Sequence, residues 1–436
     1  MTNGNVLELK DVGPIHKAKL EINKINIIGG QNSTGKSTSS KLLYCFLKSN
    51  SSNRDKLVAS SLLDKLNKFN FSLRYFNDED EDVFHDLVNK TRKMRKFIKN
   101  RNYDNFDDLL DWFDEIEILF NDILDEIEST EEESYKNLVS EFNDIKHVIK
   151  IVEESSNEFF KEVMKELLFS ELEIEFPSDF GYAKFYDAEK ASFAFDVDFK
   201  EAKFTSEGKF NINEVFYLES FSIFDNYLSN DFDCEHVSDL KEHLFPKKIP
   251  SKMFEEESLI KLEEIIGDIV GGRIIKKKDD LIFVSSNSSY TSSMKNTASG
   301  IKQISVIQSL LKNRFLGENC VLMMDEPEVN LHPEWQIKLA RILVLLAKEG
   351  NITIYINSHS PMFIEAMDTF AEYYDYENYT NYYLSISSEE ENMYDFIKVD
   401  SDELYLIYDN LGDPYDYLDR VRLSKGRKEV DDDFKF

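Results

Sequence analysis

Residues Ile25 to Thr38 read Ile-Asn-Ile-Ile-Gly-Gly-Gln-Asn-Ser-Thr-Gly-Lys-Ser-Thr. The apolar start predicts a short strand, and the segment from Ser37 to Leu47 predicts a helix. Between them, Gly30 to Ser37 fits the pattern G-x-x-x-x-G-K-[ST], in which backbone N–H groups at a helix N-terminus surround an anion. A loop of Gly, Ser and Thr can also be an ordinary strand-to-helix turn, but the strand before it and the helix after it favour nucleotide binding.

The pattern assigns a role to each polar group of the loop. Lys36 would reach the β- and γ-phosphates, and the hydroxyl of Ser37 would hold Mg²⁺. The residues predicted to contact nucleotide here are Gly30, Gln31, Asn32, Ser33, Thr34, Gly35, Lys36, Ser37 and Thr38.

The chain is strongly acidic, and this limits its partners. Its 436 residues include 84 Asp and Glu against 52 Lys and Arg, which gives a formal net charge of −32. Such a charge disfavours nonspecific binding to DNA or to an anionic membrane over most of the surface, although it leaves room for a local basic groove.

The sequence also carries information on compartment. Cys45, Cys234 and Cys320 stand far apart without a C-x-x-C pair, so we expect neither a disulfide framework nor a zinc site. The N-terminal residues lack the features of a signal peptide, and no apolar run approaches the ~20 residues of a membrane span. These observations predict a cytoplasmic protein without a membrane partner.

A long insertion separates two parts of the chain. Residues 52–170 contain no glycine or proline. Apolar residues between Phe106 and Ile127 recur at alternating steps of three and four, which is typical of a coiled-coil seam. A second seam runs from Leu138 to Val163, with Ser156 interrupting it. They predict an antiparallel helical hairpin, either projecting as an arm or packed on the core as a lid. A basic cluster between Lys90 and Arg101 is either a solvated helix face or a nucleic-acid contact.

Strand patterns follow the insertion, including an alternating series after residue 181 and a candidate buried strand from Val215 to Leu218. We therefore predict an α/β head made of residues 1–50 and 255–436, a mainly helical, coiled-coil-like insertion at 51–176, and a β-rich or irregular segment at 177–254.

A second candidate site element is the apolar run from Cys320 to Met324, which is followed by Asp325 and Glu326. A carboxylate at the end of a buried strand can bind the hydration shell of Mg²⁺, which is the role predicted for Asp325. The next carboxylate, Glu326, can orient and deprotonate an attacking water.

Two further stretches flank this strand. Upstream, the small polar turn around Ser299 and Gly300 leads into an amphipathic helix, and its N–H groups form a second phosphate-binding device. Downstream, a β-branched strand over 352–358 delivers His359, which is either structural or, as we favour, a contact of the γ-phosphate.

With these four motifs in this order, the chain resembles the ABC-type ATPase superfamily in its soluble, SMC-like branch of AAA family ATPases. The resemblance covers residues 1–50 and about 255–365. The stretch from Glu328 to Pro333 resembles the one that follows the Asp-Glu pair in the predicted-ATPase and OLD-like groups. The implied fold is a P-loop ABC-type head with a large helical hairpin insertion and a small antiparallel β element.

The resemblance implies ATP and Mg²⁺ as ligands and a head-to-head dimer that encloses two ATP molecules. Lys36 and Ser37 of one head would face Ser299 and Gly300 of the other. Glu326 would be the general base, and His359 would sense the γ-phosphate. The family's loop glutamine has no counterpart, because no Gln occurs between Gln31 and Gln303.

Two functions fit this resemblance. In the first, the ATP-gated homodimer controls a separate effector, such as a nuclease or toxin in an anti-phage or toxin-like system, since no nuclease pattern follows Ser360. In the second, the dimer is a DNA-repair or recombination ATPase that binds DNA, which the net charge disfavours. A transporter subunit fits least, because the Ala-Ser-Gly-Ile-Lys-Gln signature departs from the transporter pattern.

Overall fold

The computed structural model divides the chain into two compact units, residues 1–48 together with 165–436, and residues 49–164. The residues that it describes are 4–49, 51–73, 81–99, 106–126, 133–153, 156–173, 179–189, 193–208, 211–219, 234–244, 257–277, 280–286, 291–293, 297 and 299–412. The unit boundaries differ from the expected insertion at 51–176, because the helix that begins at Ser156 contributes residues to both units.

The strands of the described residues all belong to the first unit. They are β1 (Asn5–Val12), β2 (Ile15–Ile22), β3 (Ile25–Gly29), β4 (Tyr182–Asp187), β5 (Phe193–Asp198), β6 (Lys203–Gly208), β7 (Val215–Leu218), β8 (Gly272–Lys277), β9 (Asp280–Ser285), β10 (Thr291–Ser293), β11 (Val321–Asp325), β12 (Thr353–Ser358), β13 (Thr380–Ser387) and β14 (Tyr394–Val399).

The helices of the described residues belong to both units. They are α1 (Lys36–Lys48), α2 (Ser51–Ser72), α3 (Glu81–Lys99), α4 (Phe106–Glu126), α5 (Glu133–Glu153), α6 (Ser156–Leu172), α7 (Glu235–Leu244), α8 (Glu257–Val270), α9 (Ser299–Lys312), α10 (Pro333–Glu349) and α11 (Pro361–Tyr373). A last helix covers 405–412.

Eleven of the described strands form one sheet, in the order β6-β5-β4-β1-β2-β14-β13-β3-β12-β11-β7. Strands β13, β3, β12, β11 and β7 run parallel to one another. Strands β2, β1, β4, β5 and β6 are antiparallel to their neighbours in that series. The predicted mixed α/β fold is confirmed, and β14, which is antiparallel to β13 and parallel to β2, joins the two parts of the sheet.

Burial explains this division of the sheet. Every residue of β3, β11 and β12 is buried, as expected for parallel strands covered on both faces, and their sequences are mostly apolar throughout. Strand β2 instead alternates between buried and more exposed residues, as expected when one face meets water. The parallel strands therefore form the centre of the head, and their carboxyl ends share one edge.

The second unit is built from α2 to α5 and the first part of α6. Helix α2 packs on α5, and α3 packs on α4. Its core contains a group of aromatic rings in which Phe120 and Phe142 stack with centroids 4.0 Å apart, and Phe69 lies 5.4 Å from Phe120. The predicted pair α4 and α5 thus lies within a larger helical bundle, while the turn expected between them falls outside the described residues.

The basic cluster lies on α3, where Arg92, Lys93 and Lys96 are exposed and Lys90 pairs with Glu115 at 2.9 Å. Arg101 lies outside the described residues.

A membrane crossing needs a long apolar helix, and the described helices include none.

Candidate functional site

The predicted phosphate loop connects the end of β3 to the start of α1. Gly30 has a φ of +148°, and a Cβ placed there would lie 1.9 Å from Oγ of Ser385 on β13. Thr34 is held beside it by a hydroxyl contact of 2.8 Å to the same Ser385. The loop therefore needs glycine at this position, because the neighbouring strand leaves no room for a side chain.

Lys36 is buried inside this loop. Its ammonium group donates hydrogen bonds to the carbonyl oxygens of Gly30 and Gln31, at 2.9 and 2.5 Å. Burial lowers the pKa of Lys36, and nearby carboxylates oppose that shift. Those carboxylates belong to Glu326, Asp325 and Glu328. The two distant motifs of the sequence thus meet at one place.

Asp325, at the carboxyl end of β11, is fixed by its neighbours. Asn357 donates from its amide nitrogen to Oδ1 of Asp325 and to Oγ of Ser40, both at 2.9 Å. The Tyr217 hydroxyl donates to Oδ2 at 3.3 Å and lies 3.2 Å from the same Ser40. Asp325 is therefore connected to α1 three residues beyond Ser37, and its oxygens keep free lone pairs for a metal ion.

Glu326 occupies an unusual backbone conformation directly after β11. Its φ is +48°, a left-handed value that is uncommon outside glycine. Its N–H donates to the carbonyl oxygen of Asn357 at 2.9 Å, which holds the turn against β12. The turn directs the side chain outward, where it is 38% exposed. Such a backbone outlier next to a buried carboxylate is typical of functional sites.

His359 follows β12 and lies beside Glu326. Its Nδ1 is 3.4 Å from Oε1 of Glu326 and 3.6 Å from Oε1 of Glu328. The loop that carries it is held by the buried Glu328, whose Oε1 accepts hydrogen bonds from the Ser358 hydroxyl at 2.7 Å and from the His359 N–H at 2.9 Å. Glu328 thus positions the histidine through its backbone.

Glu328 should make stability depend on pH. Burial raises its pKa above the usual 4.5, against the opposing hydrogen bonds from Ser358 and His359. Because the folded protein then holds this proton more tightly than the unfolded chain, the free energy of unfolding should fall as pH rises from 4.5 through the folded pKa. Glu328→Gln keeps an accepting oxygen and cannot ionise. We therefore expect its free energy of unfolding, measured by urea denaturation, to fall less steeply over this pH range than that of the wild-type protein.

The exposed Glu372 supplies the control for that measurement, because Glu372→Gln removes a carboxylate that lies on the surface of α11. The control should follow the wild-type pH dependence. If the free energy of unfolding of Glu328→Gln falls with pH as steeply as that of the wild-type protein, the buried carboxyl group of Glu328 does not cause the pH dependence.

The remaining predicted residues lie at two places. Gln31, Asn32, Ser33 and Ser37 are exposed along the loop, and Thr38 is half-buried. Ser299 and Gly300 begin α9, which packs on α8 and α10. A Cβ on Gly300 would lie 2.9 Å from the indole of Trp335, so glycine is needed there too. The neighbouring Ala298 lies outside the described residues.

Sequence reasoning missed four polar side chains that support the site: Tyr217, Glu328, Asn357 and Ser385. Asn357 and Ser385 interrupt strands that are otherwise largely apolar, which was a usable signal. Glu328 stands two residues beyond Glu326 in the Asp-Glu motif. Tyr217 gave no local signal, because its contact with Asp325 depends on β7 lying next to β11.

The donor set at this edge fits a magnesium ion. Mg²⁺ prefers oxygen ligands and keeps several waters, and the carboxylate of Asp325 and the exposed hydroxyl of Ser37 supply such ligands. Three carboxylates near a single ammonium also leave an excess of negative charge, which favours binding of a cation.

Comparison with solved structures finds SMC head domains. One is the SMC head domain from Thermotoga maritima, with 8% identity and a TM-score of 0.37 over 92% of this chain and all of that one. Another is a Pyrococcus furiosus Smc head domain with an extended coiled coil, bound to the C-terminal domain of ScpA, with 9% identity and a TM-score of 0.33 over 93% of this chain and 98% of that one. Comparison with curated proteins gives no match.

Comparison with protein families gives a match that spans most of the chain. The family described as AAA ATPase domain matches residues 6–364, which include the phosphate loop, the Asp325–Glu326 pair and His359. The resemblance deduced from the four sequence motifs is confirmed at the level of this family. The chain belongs to the AAA ATPase domain family.

Proposed function

We propose that the chain hydrolyses ATP with Mg²⁺, that two copies pair head to head around two ATP molecules, and that this ATP-bound dimer controls a separate effector protein. The observation that carries the proposal is the shared edge of β3, β11 and β12. There the carboxylates of Asp325 and Glu326 attract the ammonium group of Lys36, and Nδ1 of His359 lies 3.4 Å from Oε1 of Glu326.

Each residue has a defined task in the proposed reaction. Lys36 exchanges its loop carbonyls for phosphate oxygens and holds the β- and γ-phosphates. Glu326 takes a proton from the attacking water, whose oxygen bonds to the γ-phosphorus as ADP leaves. Ser37 and Asp325 would hold Mg²⁺, which supplies positive charge to the phosphate oxygens.

His359 would contact the γ-phosphate and report its presence. Its Nδ1 lies 3.4 Å from Oε1 of Glu326 and 3.6 Å from Oε1 of Glu328. A ring N–H can donate a hydrogen bond to a phosphate oxygen. Glu328 keeps the histidine at this place by holding its backbone N–H.

Exposure of the site supports pairing of two heads. The side chains of Glu326 and His359 are 38% and 36% exposed, and the loop residues Asn32 and Ser37 are exposed as well. Phosphoryl transfer needs a site from which bulk water is excluded. A second head whose Ser299 and Gly300 approach this edge would cover it and add the N-terminus of α9 as a further anion contact.

The helical unit supports the proposed effector. Residues 49–164 form a bundle with its own aromatic core, and their sequence contains no nucleotide-binding motif. With a formal net charge of −32 for the whole chain, a protein partner fits better than DNA. We place this activity in the cytoplasm and, among the pathways considered above, in an anti-phage or toxin-like system.

Phosphate release by the purified protein tests the proposed reaction. We expect ATP to yield ADP and phosphate in equal amounts with Mg²⁺, and no product when the metal is chelated. Binding of a fluorescent ATP analogue should be measured in parallel. A protein that neither binds ATP nor releases phosphate at millimolar Mg²⁺ would refute the proposed function.

A further inference from the structure

A largely buried group of metal-ligating side chains lies in the first unit, beside Tyr217 of β7, whose ring centroid is 5.1 Å from that of His236. Glu171 near the end of α6, Cys234 just before α7 and His236 in α7 each place one ligand atom within 4.8 Å of the others. The side chains of Glu171 and His236 are 0% and 2% exposed. A carboxylate oxygen, a thiol sulfur and an imidazole nitrogen are the donor types that zinc prefers in proteins.

The contacts of His236 show how its ring is held. Nδ1 lies 2.6 Å from Oε2 of Glu171, and the backbone N–H of His236 donates to Oε1 of the same carboxylate at 3.0 Å. Nε2 is buried without a hydrogen-bond partner, and Oε2 of Glu219 is 3.7 Å away from it. The ring therefore has one nitrogen beside a buried carboxylate and a second that faces another carboxylate.

Cys234 lies at the N-terminus of α7. Its carbonyl oxygen accepts hydrogen bonds from the N–H groups of Val237 and Ser238, so it forms the start of α7. A helix N-terminus stabilises a negative charge on a cysteine sulfur. A metal ion bound there would replace the thiol proton.

Charged side chains lie beside the group. Lys41 of α1 pairs with Glu219 at 3.1 Å and is the cation that offsets the carboxylates of Glu171 and Glu219. Once Cys234 is a thiolate, one ammonium faces two carboxylates and a sulfur anion. A divalent cation would offset this negative charge, of which the carboxylate of Glu171 is fully buried.

We propose that Glu171, Cys234 and His236 bind a zinc ion, with Nδ1 of His236 as the ligand and Nε2–H oriented by Glu219. Ligand atoms in a tetrahedral zinc site lie about 3.4 Å apart, so small side-chain rotations complete the site. A carboxylate on the second ring nitrogen is the usual support of a metal-binding histidine. The zinc ion would tie the end of α6 to α7, next to the helix that follows the phosphate loop.

This proposal departs from the expectation that the three cysteines make no zinc site. That expectation depends on ligand spacing along the sequence, whereas Glu171 and His236 are 65 residues apart and meet only in the fold. The zinc ion is also separate from the proposed Mg²⁺ at Ser37 and Asp325, and its binding needs no nucleotide.

Cobalt is the probe, because Co²⁺ substitutes for zinc and absorbs strongly when bound to a thiolate. The full chain without a histidine tag is freed of metal and titrated with Co²⁺ in the absence of nucleotide. We expect one Co²⁺ per chain with a sulfur-to-cobalt charge-transfer band, and loss of the band when Zn²⁺ is added. At a hundredfold excess of Zn²⁺ over its dissociation constant, the thermal midpoint should rise by about 3 °C.

Two cysteine variants identify the ligand. Cys234→Ser should lose the charge-transfer band and bind Co²⁺ at least about 100-fold more weakly. Cys320→Ser is the matched control and should keep the band, because Cys320 donates to the Phe315 carbonyl at the start of β11. If Cys234→Ser does not fold, alkylation of the wild-type protein decides instead, and zinc should slow modification of Cys234 at least about tenfold.

A wild-type protein without the band, a band that survives in Cys234→Ser, or alkylation of Cys234 that zinc does not slow would overturn the proposal. In each of these cases Glu171 and His236 form a buried hydrogen-bonded pair. None of these outcomes bears on ATP hydrolysis, which is measured with Mg²⁺ and tested through other residues.

Discussion

Replacing Glu326 with glutamine should stop ATP turnover while leaving ATP binding intact. The amide cannot accept the proton of the attacking water, and loss of a general base typically slows the chemical step by about 10² to 10⁴-fold. Glutamine has the same shape as glutamate, and Asp325 keeps its contacts with Asn357 and Tyr217. We therefore expect Glu326→Gln to hold ATP and to accumulate as a dimer, measured by phosphate release and by light scattering after gel filtration.

The control for this variant is Glu372→Gln, an identical chemical change on the exposed surface of α11. It should hydrolyse ATP at the wild-type rate and show the same transient association. A Glu326→Gln protein that binds ATP yet stays monomeric at high concentration contradicts the head-to-head dimer. A Glu326→Gln protein that hydrolyses ATP at the wild-type rate contradicts the assignment of Glu326 as the general base. It does not contradict the assignment of the phosphate loop.

Replacing Lys36 with alanine should have the largest effect on ATP binding. Its ammonium makes two hydrogen bonds inside the loop and would make comparable bonds to the phosphates. Hydrogen bonds to charged groups contribute about 1.5–3 kcal/mol each, so loss of two of them weakens binding by about 100-fold or more. Isothermal titration with a non-hydrolysable ATP analogue measures this change directly.

Lys398→Ala provides the comparison, because Lys398 lies in β14 and pairs at the surface with Glu21 at 2.7 Å. Its affinity for the analogue should match that of the wild-type protein. Circular dichroism of Lys36→Ala should show an intact fold, since truncation removes a buried charge that desolvation already disfavours. Unchanged affinity in a folded Lys36→Ala protein would rule out the loop as the phosphate site.

The sequence predicted those parts of the site that lie within contiguous motifs. A short sequence pattern predicts a role for the loop from Gly30 to Ser37, and another does so for the pair Asp325 and Glu326. Their meeting was predictable as well, because parallel strands present their carboxyl ends at a common edge. The fully buried strands β3, β11 and β12 have largely apolar sequences, which made the parallel part of the sheet recognisable.

The rest depended on contacts between distant parts of the chain. Tyr217 donates to Asp325 across 108 residues, and this contact exists because β7 adds to the edge beside β11. Ser385 limits Gly30 because β13 lies next to β3. Strand order follows from packing of the whole head, so local patterns do not reveal it. The roles assigned to Ser299 and His359 stay predictions.

The hydrogen bonds of Lys36 also bear on how one nucleotide is replaced by the next. Because the ammonium has acceptors in the carbonyls of Gly30 and Gln31, departure of ADP leaves no buried donor unsatisfied. The loop without nucleotide then keeps its shape, and rotation of the Lys36 side chain is enough for it to contact the next ATP. We therefore expect exchange to proceed without refolding of the loop, at a rate set by how quickly the two heads of the proposed dimer separate.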